Sequence, residues 1–198
     1  YTDYVGRGAL AHAYSPIRLD FLFNDYNAIE PFDEKTFFSP ERRFVAVATD
    51  CTTGKTAYFE KGKCRDIFSA IKASASMPYI SPMVYVDGRP CLDGGCSCRI
   101  PYRWALHEGY EKIVVVRTRE PEYRKKVSKR RHRFQVYHRY PEFARRLANS
   151  SRIYNHQCDE IQKLEEQGRI FVIAPSQKVT VGRLERDMNK LGDLYWLG

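Results

Sequence analysis

Two short apolar runs constrain the fold of this chain most. Ile113 to Val116 and Ile170 to Ile173 each hold four consecutive apolar residues, with no polar residue between them. A strand with one face in water alternates polar and apolar residues, whereas a parallel strand covered on both faces by helices does not. Helical patterns precede and follow both runs, and alternating helices and strands are typical of α/β proteins. We therefore expect an α/β fold, a three-layer α/β/α sandwich with a mainly parallel sheet.

Turn and cap residues divide the rest of the chain into further elements. A strand over Phe44–Thr49 is followed by a returning strand over Lys55–Glu60, and Asp87-Gly88 suits the tight turn of a second hairpin. Asp66 is a typical helix N-cap, and Pro78 would end that helix. The remaining expected elements are short helices and loops within residues 1–40, a helix from Pro101 capped at Gly109, a helix from Pro141 to Gly168 broken at Asn149–Ser151, and a helix from Leu184 to Leu191.

The composition is that of a folded protein. Of 198 residues, 43% are hydrophobic and 29% are charged, which excludes a wholly disordered chain. No apolar run approaches the roughly 20 residues that a membrane-spanning helix requires. The first residues, Tyr1 to Tyr4, have no Met and none of the features of a signal peptide. We expect residues 1–198 to form one domain that is the later portion of a larger one.

Positive charge is concentrated in one late segment. The formal net charge is +9, and the densest run of cations consists of Arg124, Lys125, Lys126, Lys129, Arg130, Arg131 and Arg133. Such a run suits a solvated helix or loop, the surface of an anionic membrane, or nucleic acid. The sequence disfavours nucleic acid, because no RNP, zinc-finger or homeodomain pattern accompanies the run.

The six cysteines indicate neither a disulfide framework nor a metal site. A chain of this length can build a core without disulfides. Cys91, Cys96 and Cys98 lack the paired spacing of structural zinc, and no histidine lies near them. We interpret the cysteines as reduced thiols of a cytoplasmic protein, and we expect no metal and no cofactor.

Two segments match known catalytic or phosphate-binding motifs only in part. Gly54-Lys55-Thr56 ends like a phosphate-binding loop, but the motif requires glycine where Thr49 stands. Gly95-Cys96-Ser97-Cys98-Arg99 is a near miss for the nucleophile elbow G-x-S-x-G, because Arg99 places a long side chain where a glycine is needed. No other segment matches G-x-S-x-G.

One ordered set of motifs resembles a known family. Ala73-Ser74-Ala75-Ser76-Met77-Pro78 has the form A-S-x-x-x-P, Pro82 follows closely, and a hairpin then leads to Asp93-Gly94-Gly95. A helix led by Pro101 and the strand of Lys112–Thr118 come next. Across most of residues 40–198 this order resembles the patatin-like phospholipases. Further sequence similarity to this family occurs at Thr49-Asp50, Thr53-Gly54, Leu184 to Asp187 and Leu194-Tyr195.

The resemblance implies a lipase- or phospholipase-type hydrolase that cleaves acyl esters with a Ser–Asp dyad. Asp93 matches the aspartate of the dyad, and Gly94 and Gly95 form its supporting turn. A positioned carboxylate can accept the proton of a serine hydroxyl and so activate it as a nucleophile. The family's nucleophilic serine and Gly-rich oxyanion loop precede these motifs and have no counterpart here. We therefore expect residues 1–198 to be inactive alone, and to show an unpaired sheet edge or an exposed core.

Two rival interpretations remain. One is a non-catalytic membrane- or nucleic-acid-binding module that uses the basic segment 124–133. The other is a pseudoenzyme that keeps the fold for interactions. The leading interpretation takes lipid or another acyl ester as the substrate and places the protein in the cytoplasm, at the periphery of a membrane whose anionic surface the basic segment contacts.

Overall fold

The computed structural model describes residues 31–127, 136–182 and 185–197. Its elements, in chain order, are α1 (Glu34–Phe37), β1 (Val45–Asp50), β2 (Thr56–Glu60), α2 (Ile67–Ala75), β3 (Val84–Val86), β4 (Arg89–Asp93), a 3₁₀ helix (Gly94–Cys96), α3 (Tyr102–His107), β5 (Val114–Val116), α4 (Pro141–Glu166), β6 (Phe171–Ile173) and α5 (Met188–Leu197). The described residues fall into two compact units. Unit 1 contains residues 31–99 and 136–150, and unit 2 contains residues 100–127, 151–182 and 185–197.

Unit 1 contains a four-stranded antiparallel sheet in the order β2-β1-β4-β3. Strand β1 pairs with β2 on one side and with β4 on the other, and β3 pairs with β4. Gly54 and Gly88 in the β1–β2 and β3–β4 turns have φ angles of +65° and +76°, a region that glycine adopts without strain. Asp87, just before Gly88, has φ +49°. Both predicted hairpins are confirmed.

Helix α2 packs on this sheet and begins where the sequence predicts. The Asp66 carboxylate accepts a hydrogen bond from the Phe68 N–H at 2.9 Å, and the helix ends at Ala75, before Pro78. Its buried residues contact apolar residues of the strands. The buried members of this core are Ala46, Ala48, Ala57, Phe59, Ile67, Ala70, Ala73, Val86 and Cys91.

The expectation of a three-layer α/β/α sandwich with a mainly parallel sheet is wrong. In the described part of the chain, the larger sheet is wholly antiparallel, and the parallel sheet has two strands. The physical reason lies in the connections. Strands joined by tight turns can pair in antiparallel fashion, whereas a parallel neighbour needs a crossover of a dozen or more residues. Both connections at Gly54 and Gly88 are too short for such a crossover.

Unit 2 contains the parallel pair. Val114, Val115 and Val116 of β5 lie opposite Phe171, Val172 and Ile173 of β6. Residues of α3 and α4 cover one face of this pair. The buried members of the core are Tyr102, Ile113, Val115, Ile161 and Ile170, with Leu106, Leu164 and Val172 packed against them.

The expectation that both apolar strands are buried on both faces is also wrong. Val114 and Val116 are 59% and 71% exposed, and Phe171 and Ile173 are 64% and 51% exposed. Successive side chains of a strand point to opposite faces, so these four residues share one face of the pair. An unbroken apolar run therefore means here one buried face and one bare apolar face.

The later helices differ in detail from the expectation. Helix α4 runs unbroken through Asn149–Ser151, with its first ten residues in unit 1 and the rest in unit 2. Buried apolar side chains on both sides of this segment, including Leu147 and Tyr154, override its weak helix propensity. Helix α5 starts at Met188 rather than Leu184, with the Asp187 carboxylate accepting the Asn189 N–H at 3.0 Å. Leu184 lies outside the described residues, as do residues 1–30.

Within the described ranges, no helix combines the length and apolar character needed to cross a membrane.

Candidate functional site

Asp93 lies at the end of β4, where the chain leaves the sheet. Its N–H donates to the Ser76 carbonyl at 2.8 Å, which ties it to the end of α2. Its carboxylate Oδ1 accepts the Gly95 N–H at 2.7 Å and so caps the 3₁₀ helix. The side chain is half-buried. The backbone of Asp93 is thus fixed on both sides by regular elements, and its carboxylate is held by one backbone donor.

The second carboxylate oxygen of Asp93, Oδ2, can still accept hydrogen bonds. In the part of the chain that the structure describes, Asp93 Oδ1 bonds to Gly95 and Oδ2 accepts no hydrogen bond. An ionised carboxylate offers about four lone-pair sites. The geometry therefore leaves a positioned, accessible acceptor, which is what a general base needs.

Gly94 and Gly95 shape this turn in different ways. A Cβ on Gly94 would lie 2.2 Å from the Val47 carbonyl oxygen of β1, so no other residue fits without moving the backbone. A Cβ on Gly95 would lie 3.1 Å from Asp93 Oδ1 and 3.4 Å from an Arg99 guanidinium nitrogen. Gly94 lets the turn pack onto the sheet, and Gly95 keeps space beside the carboxylate.

A chain of hydroxyl groups, two of them buried, fixes the backbone at Asp93. Thr49 Oγ1 donates to the Asp93 carbonyl at 2.9 Å, and Thr49 Oγ1 and Ser97 Oγ are 2.8 Å apart. Thr56 Oγ1 donates to Ser97 Oγ at 3.0 Å. Because each hydroxyl carries one proton, the bonds run in one direction from Thr56 through Ser97 and Thr49 to the Asp93 carbonyl. These three residues link β1, β2 and the 3₁₀ helix around the site.

Sequence reasoning missed this network. Thr49 belongs to the family resemblance and Ser97 to the near miss for the nucleophile elbow, but neither pattern predicts a contact with Asp93. Their grouping depends on the pairing of β1 with β2 and β4, in which Thr49 lies opposite Thr56 and Leu92. Only the strand register reveals that the three hydroxyl groups meet.

The serine whose backbone carbonyl bonds to the Asp93 N–H has its side chain engaged elsewhere. Ser76 is buried, and its Oγ donates to the Lys72 carbonyl at 2.7 Å. This is the usual hydrogen bond of a serine at a helix end. Ser76 is therefore a structural residue.

The cysteines around the turn are buried thiols. Burial raises the pKa of Cys51 and of Cys96 to about 12 and that of Cys91 to about 11. The negative charge of Asp93 also raises the pKa of Cys96, while Arg99 lowers it. These three thiols stay protonated at neutral pH and are poor nucleophiles. All six cysteines are free, and the described residues contain no group of three or more side chains suited to a metal ion.

Two cations in the described part of the basic segment, Arg124 and Lys125, contact other residues of unit 2. Arg124 forms an ion pair with Asp159 at 2.8 Å, and Lys125 lies over the Tyr154 ring while its backbone bonds to Asn155. Lys126 is exposed. Arg124 and Lys125 thus stabilise the packing of the segment against α4. Lys129, Arg130, Arg131 and Arg133 lie outside the described residues.

A comparison with known protein families gives one finding. A family model described as a domain of unknown function, DUF6363, matches residues 140–198. The matched region contains α4, β6 and α5 and does not include Asp93.

Proposed function

We propose that Asp93 is the general base of a patatin-like serine acyl hydrolase. The observation that carries the proposal is the geometry of its carboxylate. Oδ1 is fixed by the Gly95 N–H, while Oδ2 is left as an acceptor among the described residues. The motif order described above, from the A-S-x-x-x-P segment to Asp93-Gly94-Gly95, supplies the reaction class.

The nucleophile and the oxyanion donors come, in this proposal, from outside residues 1–198. A serine hydroxyl within hydrogen-bond distance of Oδ2 would transfer its proton to Asp93 as its oxygen attacks the acyl carbonyl carbon. Collapse of the tetrahedral intermediate returns that proton to the departing alcohol and leaves an acyl-enzyme. Water then attacks the acyl-enzyme as Asp93 accepts its proton, and collapse of the second intermediate returns that proton to the serine oxygen and releases the carboxylic acid. Backbone N–H donors would stabilise the oxyanion in both steps.

The bare face of the parallel pair in unit 2 supports the proposal. Val114, Val116, Phe171 and Ile173 form an apolar face on two strands, whose other face carries the core of the unit. Two isolated strands are marginal in water, and an apolar face of this kind ordinarily packs against further structure. An exposed core is the expectation for a hydrolase domain whose remaining part lies outside these residues.

Ester hydrolysis by the full-length protein tests the proposal. Asp93→Asn keeps the size of the side chain but removes the base, so turnover of a short-chain acyl ester should fall by about 10²–10⁴-fold. Asp87→Asn is the matched control, because Asp87 is an exposed turn residue of the same sheet and asparagine accepts its positive φ. Turnover by Asp87→Asn should stay within about twofold of that by the wild-type full-length protein.

Three results would contradict the proposal. Turnover unchanged in Asp93→Asn would remove Asp93 from the mechanism. Equal losses in Asp93→Asn and Asp87→Asn would indicate a general effect on folding. A folded full-length protein that hydrolyses no acyl ester would favour the pseudoenzyme.

A further inference from the structure

Among the described residues, five phenylalanines form a cluster at the surface of unit 1. The Phe37 ring lies at the centre, with its centroid 5.1 to 6.1 Å from the rings of Phe32, Phe38, Phe44 and Phe68. Although the rings pack together, Phe32, Phe38 and Phe44 are 46%, 47% and 37% exposed. Large apolar patches at a protein surface mark sites of interaction. We call this group the Phe37 cluster.

A groove with a volume of about 660 Å³ adjoins the Phe37 cluster. Phe38 and Phe68 supply apolar surface to it, and none of the residues of the Asp93 turn lines it. Its charged lining is mostly basic. The charged residues are Arg42, Arg43, Lys61, Lys63 and Arg65, against Glu60 and Asp66.

The two carboxylates of the groove are already engaged. The Glu60 carboxylate accepts hydrogen bonds from Arg43 Nε at 2.7 Å and from Lys63 Nζ at 2.8 Å. These bonds lower the pKa of Glu60 to about 2. Asp66 accepts from the Phe68 N–H and from Ser69 Oγ as the cap of α2. Neither carboxylate is therefore available to the remaining cations of the groove.

Two arginines of the groove point their charge to the solvent. Arg42 and Arg65 are exposed, and within the described ranges neither guanidinium forms an ion pair or a hydrogen bond. A guanidinium presents a planar set of donors that suits the oxygens of a phosphate. Arg42 and Arg65 can therefore hold an anion from outside the molecule.

We propose that the Phe37 cluster and the adjoining groove dock this protein onto the surface of a membrane that contains anionic lipids. Phe38 and Phe44 enter the boundary between headgroups and acyl chains, and Arg42 and Arg65 bind lipid phosphates. Aromatic residues beside cations are the usual composition of such a surface. The proposal uses other residues than the basic segment 124–133, and it does not depend on the hydrolase proposal.

The ring geometry favours a lipid surface over single-stranded nucleic acid. Bases stack on the flat faces of aromatic rings. In the Phe37 cluster the rings meet edge to face, with interplanar angles of 84° for Phe37 with Phe38 and 79° for Phe38 with Phe68. Ring faces are thus used by neighbouring rings, and the cluster presents an apolar surface rather than a stacking platform.

Sedimentation of the full-length protein with lipid vesicles tests the electrostatic part of the proposal. The vesicles consist of diether phosphatidylcholine with or without diether phosphatidylglycerol, because ether lipids cannot be hydrolysed at an acyl ester. Wild type should bind the anionic vesicles more tightly, and Arg42→Gln with Arg65→Gln should weaken that binding about tenfold or more. Lys112→Gln with Arg169→Gln is the matched control, since it removes two exposed charges of unit 2, and its binding should stay within about twofold.

Fluorescence quenching tests the insertion of the rings without relying on a loss of binding. Phe38→Trp should be quenched by lipids brominated in their acyl chains when anionic vesicles are added. Tyr85→Trp, an exposed position in β3 that is not in the cluster, should not be quenched beyond the native tryptophans. Quenching shows that the cluster enters the lipid even where a substitution alters stability.

Four results would overturn the proposal. Two concern sedimentation: equal binding of wild type to neutral and anionic vesicles, and equal binding of the Arg42/Arg65 and Lys112/Arg169 double variants. The third is the absence of added quenching in Phe38→Trp. The fourth is binding to single-stranded nucleic acid or to a protein in place of vesicles. A full-length wild-type protein that hydrolyses acyl esters but does not bind anionic vesicles contradicts this proposal alone. A full-length wild-type protein that binds the vesicles but hydrolyses no acyl ester contradicts the hydrolase proposal alone.

Discussion

Gly94 and Gly95 are adjacent, yet substitution at each should have a different consequence. Gly94→Ala places a Cβ 2.2 Å from the Val47 carbonyl oxygen, and the backbone of either β1 or the turn must move. We expect Gly94→Ala to lower the free energy of unfolding by about 3 kcal/mol. Chemical denaturation measures this loss. Gly88→Ala is the control, because its Cβ meets open space at φ +76° and should cost about 1 kcal/mol.

Gly95→Ala should affect hydrolysis more than stability. Its Cβ would lie 3.1 Å from Asp93 Oδ1, close enough to push on the carboxylate without a clash with backbone. The proposed role of Asp93 therefore predicts a loss of about tenfold or more in turnover, with a change in unfolding free energy below about 1 kcal/mol. A large loss of stability with no effect on turnover would contradict this assignment of Gly95.

Glu60 should make stability depend on pH in the acid range. Its hydrogen bonds to Arg43 and Lys63 lower its pKa to about 2 in the folded chain. A carboxylate whose pKa is lower in the folded state stabilises fully above its ordinary range, and this contribution is lost as the pH falls from about 5 toward 2.

Comparing wild type with Glu60→Gln tests that dependence. The difference in their denaturation midpoints should be largest near neutral pH and should shrink steadily as the pH falls from about 5 toward 2. Removing both partners, with Arg43→Gln and Lys63→Gln, should flatten the same part of the wild-type profile. A difference that grows toward acid pH would contradict the ion pairs.

Helix α2 depends on its N-cap because it is short. It has nine residues, and the Asp66 carboxylate accepts the Phe68 N–H, one of the unpaired donors of its first turn. Asp66→Ala should lower the free energy of unfolding by about 1 kcal/mol, measured by urea denaturation. Asp66→Asn keeps an N-cap acceptor and should recover most of the loss. Equal losses in the two variants would contradict the capping role.

Local signals predicted the elements of unit 1 well because their causes are local. Asp66, Pro78 and the Asp87-Gly88 turn act on the backbone within a few residues, and the helix and hairpin lie where these signals place them. The assembly of the elements was not local. The two predicted hairpins already require antiparallel pairing of their strands. The general rule that alternating helices and strands form a parallel sheet therefore does not hold for unit 1.

The apolar runs misled because sequence does not show what covers a strand. Val115 is buried and Val116 is exposed, although both are valines of one three-residue strand. The same limit applies to the site. Asp93 and its glycines follow from a motif, whereas the hydroxyl chain of Thr56, Ser97 and Thr49 follows from register between distant strands.

The proposed base and the cations of the described groove are different residues of unit 1. The proposed base is Asp93 at the end of a sheet strand, while the cations of the groove in unit 1 lie between residues 42 and 65. The described cations of the 124–133 segment include Arg124, which is paired within unit 2. A strong net positive charge therefore does not by itself locate a binding surface, since ion pairs and packing occupy part of it.

The bare face of unit 2 gives a test of whether the chain needs structure from outside residues 1–198. If that structure covers Val116 in the full-length protein, Val116→Lys buries an unpaired charge there and should lower the free energy of unfolding by about 2 kcal/mol or more. In residues 1–198 alone, where Val116 is 71% exposed, the same change should cost less than about 0.5 kcal/mol. Val127→Lys, at an exposed valine outside any strand, is the control and should cost little in both. Equal small effects of Val116→Lys in both proteins would mean that the face stays open, and the support it lends to the hydrolase proposal would be lost.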